Sequence, residues 1–181
     1  MLSGLPKWLR VKIGLCKQCQ ANRTRHTIVM GEGILPCKFL LIGGCSDKVS
    51  DITGEAFTGW HGHLLDSMLS DAKIARHTVA CMLSVFCRPL DAVGETRDPN
   101  KREIANCRSR ILEIICVAQP EAVIFADREA QKAYKGFFDA EGIPHTTIYS
   151  PAYVKAKGGD RATEYFHNVR MLEDLKSKIT T

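Results

Sequence analysis

The sequence lacks the features of a membrane or secreted protein. None of its apolar runs reaches the roughly 18 residues that a membrane-spanning helix needs. The opening stretch, MLSGLPKWLRVKIGL, mixes basic and apolar side chains without a continuous apolar core or a small-residue cleavage site. A secretory signal is therefore not expected. We expect an intracellular, cytoplasmic protein that does not act on a membrane.

The sequence also lacks internal repeats and low-complexity linkers. Its 181 residues suit one well-cored domain better than two. We therefore predict a single domain over residues 1–181, in which residues 1–37 form an N-terminal segment ahead of the first clear strand.

Positive charge is in moderate excess. The formal net charge of +5 favours a polyanionic partner such as DNA without requiring one. The basic residues fall into two groups along the chain: Lys7, Arg10, Lys12, Lys17, Arg23, Arg25 and His26 near the start, and Lys155, Lys157 and Arg161 near the end. Two solvated basic faces with no partner are the simpler explanation of this charge alone.

Strand and helix patterns alternate along the chain. Four apolar, β-rich runs occupy residues 38–43, 77–85, 121–126 and 145–150. Helical spacing of apolar residues marks 60–71, 101–117 and 159–179, and Asp127 can cap a further helix. This alternation predicts an α/β protein with three α/β/α layers around a central four-stranded parallel sheet. The long loop at 87–101 is of a length that is often functional.

Eight cysteines need an explanation in a protein that is expected to be intracellular. Cys16 and Cys19 form a C-x-x-C pair, whose spacing lets two thiolates bind one metal or cluster. Cys87 opens the long loop, and Cys107 lies in the helix that follows it. The other four cysteines fit small buried hydrophobic residues: Cys37, Cys45, Cys81 and Cys116. Zinc and a [4Fe-4S] cluster both suit the first four thiolates.

The neighbours of these cysteines form specific motifs. The first pair lies in CKQCQANRTRHTIVMGEG, the third cysteine in CRP at 87–89, and the fourth in EIANCR at 103–108. In these motifs the chain resembles the iron-sulfur uracil-DNA glycosylases, family 4 of that superfamily, from about Cys16 to Lys178. The resemblance implies a glycosylase-like fold, a DNA partner, single-stranded or duplex, and a [4Fe-4S] cofactor bound by Cys16, Cys19, Cys87 and Cys107.

The glycine-rich turn after the first strand carries the same resemblance. Residues 43–62, GGCSDKVSDITGEAFTGWHG, match the family's first motif without a gap. The matching positions are Gly43, Asp51, Gly54, Phe57, Gly59 and Gly62, followed by Leu64 and Leu65. The resemblance implies that Phe57 is the aromatic ring on which a flipped base stacks.

The chain departs from the family at polar positions of the base pocket. Gly44 replaces a Glu, Leu83 replaces an Asn that reads the uracil edge, and Ser150 replaces the His of His-Pro-Ala-Tyr. The predicted base pocket is therefore Gly43, Gly44, Phe57, Leu83 and Ser150. Asp47, Asp51 and His61 are the candidate catalytic substitutes, since carboxylates can activate water and an imidazole can donate to a leaving group. His63 has the same chemistry but also fits a helix surface.

Candidate DNA contacts lie in the two basic groups and in the turn just before the second: Arg23, Arg25, Pro151, Tyr153, Lys155 and Lys157. Two functions follow. The favoured one is a DNA-binding scaffold of replication or repair, with a possible replication or repair protein as partner, that excises uracil weakly or not at all. The alternative is an active glycosylase for uracil or another modified base with a rearranged site. A zinc-stapled module unrelated to DNA would require the motif match to be accidental.

Overall fold

A computed structural model describes residues 1–179, and within them one six-stranded sheet forms the centre of the fold. The strands are β1 (Leu2–Ser3), β2 (Gly31–Ile34), β3 (Phe39–Cys45), β4 (Val79–Val85), β5 (Ala122–Phe125) and β6 (His145–Thr147). Their order across the sheet is β1-β2-β4-β3-β5-β6. The predicted α/β architecture is confirmed.

The four predicted strands are β3 to β6, and they run parallel to one another. The prediction of a four-stranded sheet was incomplete, because the N-terminal segment adds two strands. β2 pairs antiparallel with β4, and β1 pairs parallel with β2. The added strand β2, GEGI, has no apolar alternation to reveal it. A side chain at Gly31, whose φ is 133°, would collide with the carbonyl oxygen of Cys81, so only glycine lets the two backbones pair there.

Seven α-helices lie within residues 1–179: α1 (Lys7–Gly14), α2 (Lys48–Thr53), α3 (Gly59–Asp71), α4 (Lys101–Ala118), α5 (Arg128–Ala140), α6 (Pro151–Ala156) and α7 (Thr163–Ser177). The helices predicted over 60–71 and 101–117 are confirmed to within one residue at each end. Asp127 caps α5 as predicted, because its Oδ1 accepts a hydrogen bond from the Ala130 N–H at 2.8 Å. The predicted helix over 159–179 is divided, with a 3₁₀ turn at Gly159–Arg161 before α7.

Helices cover both faces of the sheet. Side chains alternate along β3, so that Leu40 and Ile42 pack with α1, α4 and α5, whereas Phe39 and Leu41 pack with α3 and α7. The three-layer arrangement is therefore confirmed. Within residues 1–179, no helix is both long and apolar enough to cross a membrane.

The parallel direction of β3 to β6 brings their carboxyl ends to one edge of the sheet. The turn after β3, the end of β4, Asp127 after β5 and Ser150 after β6 meet at that edge. Open α/β sheets bind their ligands at this edge.

Candidate functional site

A cleft of about 230 Å³ opens at the carboxyl edge of the sheet. All five residues of the predicted base pocket line it: Gly43, Gly44, Phe57, Leu83 and Ser150. The structure therefore brings together positions from β3, β4 and the start of α6 that are far apart in the sequence. Their roles in binding a base stay predictions.

The Phe57 ring forms one wall of this cleft. A Cβ atom at Gly43 would lie 2.7 Å from Phe57 Cζ, so glycine is required for the ring to lie against β3. Phe57 itself has a φ of 53°, a left-handed conformation that is unfavourable for a bulky side chain. Backbone strain of this kind costs about 1–3 kcal/mol and tends to occur at ligand sites. The geometry is that of a fixed aromatic platform.

Asp47 and His61 form a polar pair in the cleft. Asp47 Oδ1 accepts a hydrogen bond from the Ser50 N–H at 2.7 Å and so caps α2, and Asp47 Oδ2 lies 3.4 Å from His61 Nδ1. Burial lowers the pKa of His61 below its ordinary value, and the positive charge of Lys155 acts in the same direction. Asp47 opposes this shift but does not reverse it. The lowered pKa favours the neutral imidazole, whose two ring nitrogens can accept and donate a proton.

Asp51, the third candidate catalytic residue, does not line the cleft. Its side chain is buried, and its carboxylate accepts hydrogen bonds from the N–H groups of His26 at 3.0 Å and Thr27 at 3.3 Å. This position favours a structural role, because the carboxylate fastens the N-terminal segment to α2. His63 also lies elsewhere, in a hollow that it shares with Asp66 and Tyr165.

The sequence analysis did not identify Asp98 and Asp127 as cleft residues, yet both line it. Asp127 Oδ2 would lie 3.4 Å from a Cβ atom at Gly44, so the missing side chain leaves space that this carboxylate faces. Cys45 lies between the two acids: burial raises the pKa of its thiol to about 12, with Asp98 and Asp127 adding to the shift. A polar residue directly after a parallel strand was the signal that could have placed Asp127 here.

Two serine hydroxyl groups at the pocket form hydrogen bonds with the backbone. Ser84 Oγ donates a hydrogen bond to the Gly44 carbonyl at 2.8 Å, while the neighbouring Leu83 presents an apolar side chain to the cleft. Ser150 Oγ accepts a hydrogen bond from the Tyr153 N–H at 3.2 Å and caps α6.

Four thiols approach one another where the N-terminal segment meets the long loop. Cys87 and Cys107 are buried, and Cys16 and Cys19 are partly exposed. Burial raises the pKa of the Cys107 thiol to about 12, and its proximity to the other three thiols raises it further, against a backbone hydrogen bond to Phe86. Within residues 1–179, no three His, Cys, Asp or Glu side chains are grouped so that they could hold a single metal ion.

Arg25, one of the predicted DNA contacts, is half-buried beside this thiol group. One guanidinium nitrogen donates a hydrogen bond to Cys87 Sγ at 3.1 Å and the other to the Cys16 carbonyl at 3.0 Å. Arg25 therefore joins the C-x-x-C loop to the Cys-Arg-Pro turn and supplies positive charge to a thiol. Of the cysteines expected to be buried, Cys37 and Cys81 are, whereas Cys45 is partly exposed at the cleft and Cys116 is exposed on α4.

The other predicted DNA contacts divide between two places. Pro151 lines the cleft, and Tyr153, Lys155 and Lys157 follow it on α6 and just beyond its end. Arg23 lies apart from them, in a hollow of about 420 Å³ beside the C-x-x-C loop.

Comparison with known proteins identifies the family. The model of the uracil DNA glycosylase superfamily matches residues 30–176. The chain belongs to the uracil DNA glycosylase superfamily.

Two similar relatives are both named type-4 uracil-DNA glycosylase. The protein from Archaeoglobus fulgidus is 24% identical over 146 residues, which cover 81% of this chain and 71% of the relative. The protein from Thermotoga maritima is 25% identical over 168 residues, which cover 93% and 83%. A solution NMR structure of a candidate uracil DNA glycosylase from Methanosarcina acetivorans aligns with a TM-score of 0.47 at 10% identity, over 83% of this chain and 99% of that one.

Proposed function

We propose that this protein binds DNA at the cleft beside β3, excises uracil weakly or not at all, and acts as a scaffold in replication or repair. Tyr153 and Lys155, which follow Pro151 on α6, support the DNA binding, and the observation that carries the reduced excision is the lining of the cleft. The carboxylates of Asp47, Asp98 and Asp127 line it, and the amide and imidazole positions implied by the family resemblance hold Leu83 and Ser150.

This lining opposes the chemistry of uracil excision. Breaking the glycosidic bond releases uracil as an anion, which needs a hydrogen-bond donor near its oxygen. Ser150 stands where the resemblance implies such a donor, an imidazole, and the loss of one preorganised donor typically lowers a rate by about 100–1000-fold. Leu83 also leaves the polar edge of a bound uracil without a partner, at a cost of about 1–3 kcal/mol.

The four thiols would hold a [4Fe-4S] cluster through Cys16, Cys19, Cys87 and Cys107. The donor set fits, because all four ligands are thiols and Arg25 donates a hydrogen bond to one of them. When bound, the cluster crosslinks the N-terminal segment, the long loop and α4 and so adds its binding energy to folding.

The alternative function, an active glycosylase with a rearranged site, is favoured by one observation. The lowered pKa of His61 favours its neutral form, and its ring lies 3.4 Å from Asp47 inside the cleft, so the pair could accept a proton from water or give one to a leaving base. The remaining carboxylates would suit a base that does not leave as an anion.

Uracil release tests the two functions against each other. Anaerobically purified protein, in excess, is incubated with a single-stranded oligonucleotide that carries one uracil, and abasic sites are revealed by alkaline cleavage. We expect no cleavage, together with binding of the same oligonucleotide that weakens as salt rises. A doubly substituted Asp47→Ala, His61→Ala protein is purified in parallel. Cleavage by the unsubstituted protein that this variant lacks would overturn the proposal and assign the chemistry to Asp47 and His61. Equal cleavage that a uracil-DNA glycosylase inhibitor specific for the host enzyme abolishes comes from a contaminant, and equal cleavage that persists would overturn the proposal and point to Asp98 and Asp127.

A further inference from the structure

Two exposed aromatic side chains adjoin the cleft, and each has a lysine at its ring. Trp60, in the first turn of α3, has Lys155 Nζ 4.0 Å from its ring centroid. Tyr153 on α6 has Lys157 Nζ 5.4 Å from its ring centroid. Trp60 is 39% exposed and Tyr153 is 44% exposed. An aromatic ring beside a free cation is the combination with which proteins bind single-stranded nucleic acid.

Neither ring is needed to complete the core. The buried face of α3 consists of Leu65, Met68 and Leu69, and Trp60 lies outside it. Trp60 rests on His61, with ring centroids 3.5 Å apart, and this contact holds it beside the cleft that His61 lines. The exposed indole is thus held by the site and not by the hydrophobic core.

Tyr153 is held in a similar way on the other helix of the site. Its ring stacks on Tyr149 at a centroid distance of 5.3 Å and an interplanar angle of 21°. Both tyrosines line a hollow of about 560 Å³, which shares Asp127 and Ser150 with the cleft. The hollow and the cleft are therefore one continuous surface.

Within residues 1–179, the two lysines lie over the rings and are not held by a carboxylate. Within the part of the chain that the structure describes, neither Lys155 nor Lys157 has a carboxylate partner, and their contacts are with the two rings. Because Asp47, Asp98 and Asp127 make the cleft itself negative, a DNA backbone is expected to follow the lysines and not the cleft floor.

We propose that Trp60 and Tyr153 are stacking platforms for unpaired bases that flank the base in the cleft, and that Lys155 and Lys157 move from the ring faces to the neighbouring phosphates when a base stacks. The ligand class is single-stranded DNA, because a flanking base can stack on protein only where it is not stacked within a duplex. This inference rests on the proposed DNA binding and adds a strand preference to it.

The chain offers a direct test, because its two tryptophans are Trp8 and Trp60. Trp8 is a matched control: it is also exposed, and Lys12 Nζ lies 6.0 Å from its ring. In a Trp8→Phe protein all tryptophan fluorescence comes from Trp60. We expect a thymidine oligonucleotide to quench this fluorescence, and an oligonucleotide with abasic sites flanking the central base to bind through its phosphates with much less quenching.

Affinity measurements complete the test. Trp60→Ala is expected to weaken binding of the single strand about tenfold and to change duplex binding little, whereas Trp60→Phe keeps a flat ring and should restore most of the affinity. Trp8→Ala should have little effect on either. A thermal unfolding curve for each variant shows that it is folded.

The outcomes separate the two levels of inference. Binding of the single strand without quenching of Trp60, or equal quenching by a duplex of the same length, would overturn the stacking platforms and leave the proposed DNA binding intact. If the unsubstituted protein binds neither strand form at low salt, the proposed DNA binding fails, and the platforms with it.

Discussion

The assignment of Asp51 to structure and not to catalysis leads to a quantitative prediction. Asp51 is 4% exposed, and its carboxylate accepts hydrogen bonds from the backbone N–H groups of His26 and Thr27. Asp51→Ala removes the acceptor for two backbone N–H groups, and an unsatisfied buried donor costs about 1–3 kcal/mol. Since His26 is exposed and Thr27 half-buried, water can reach part of the freed donors. We therefore expect the free energy of unfolding to fall by about 1–3 kcal/mol in total.

The assay is urea unfolding followed by circular dichroism, together with oligonucleotide binding by the same preparations. A change of this size corresponds to a melting temperature about 5 °C lower for a chain of this length. Asp47→Ala is the matched variant, because Asp47 is a half-exposed helix cap whose loss costs about 1 kcal/mol. We expect Asp51→Ala to be the less stable of the two, with DNA binding retained when it is folded. An Asp51→Ala protein with the unfolding midpoint of the unsubstituted chain would refute the structural assignment.

Three further predictions concern the pocket wall, the imidazole and the thiols. Gly43→Ala should destabilise the fold by about 1–3 kcal/mol and displace the ring of Phe57. Gly14→Ala, which has open space at its Cβ, should not. Equal urea unfolding midpoints for the two variants would contradict the close contact between position 43 and Phe57. Because burial holds the pKa of His61 below its ordinary value of 6.5, the unfolded chain binds the proton more readily, and stability should be lost as pH falls below 6.5. His61→Gln should weaken this loss in urea unfolding at a series of pH values, and an unchanged profile would contradict the assigned shift. Cys87→Ala should abolish the visible absorbance of a bound cluster and lower stability, while the exposed Cys116→Ala should keep both; retained absorbance in the first variant would exclude that ligand.

The central sheet could be predicted because its strands are continuous apolar runs. β3 to β5 are buried on both faces, and such strands carry their signal in composition alone. β2 could not be predicted in this way, since its pairing with β4 depends on the absence of a side chain at Gly31 and not on apolar side chains. A glycine-rich stretch gives the same local signal whether it forms a turn or allows a close backbone approach.

The resemblance to the glycosylase motifs implied the positions that line the cleft, but the sequence did not indicate which way each single carboxylate points. Asp47 and Asp51 are four residues apart at the start of one short helix, yet Asp47 faces the cleft and Asp51 faces the N-terminal segment. Which of them reaches the site depends on how α2 is oriented by tertiary contacts. Arg25 shows the same limit, because its place in a basic group suggested DNA, whereas its guanidinium hydrogen bonds to the thiol region.

The aromatic wall of the cleft and its acidic lining depend on different residues. Position 43 requires glycine, because the ring of Phe57 fills the space that a side chain there would need. Gly44 is the opposite case: it leaves space in front of Asp127, so a Glu at this position would bring two carboxylates together. Glycine at position 44 therefore avoids the charge repulsion that a glutamate there would have with Asp127. The carboxylate of Asp127 on the β5 side therefore faces the space that Gly44 leaves open, while the ring of Phe57 forms the other wall.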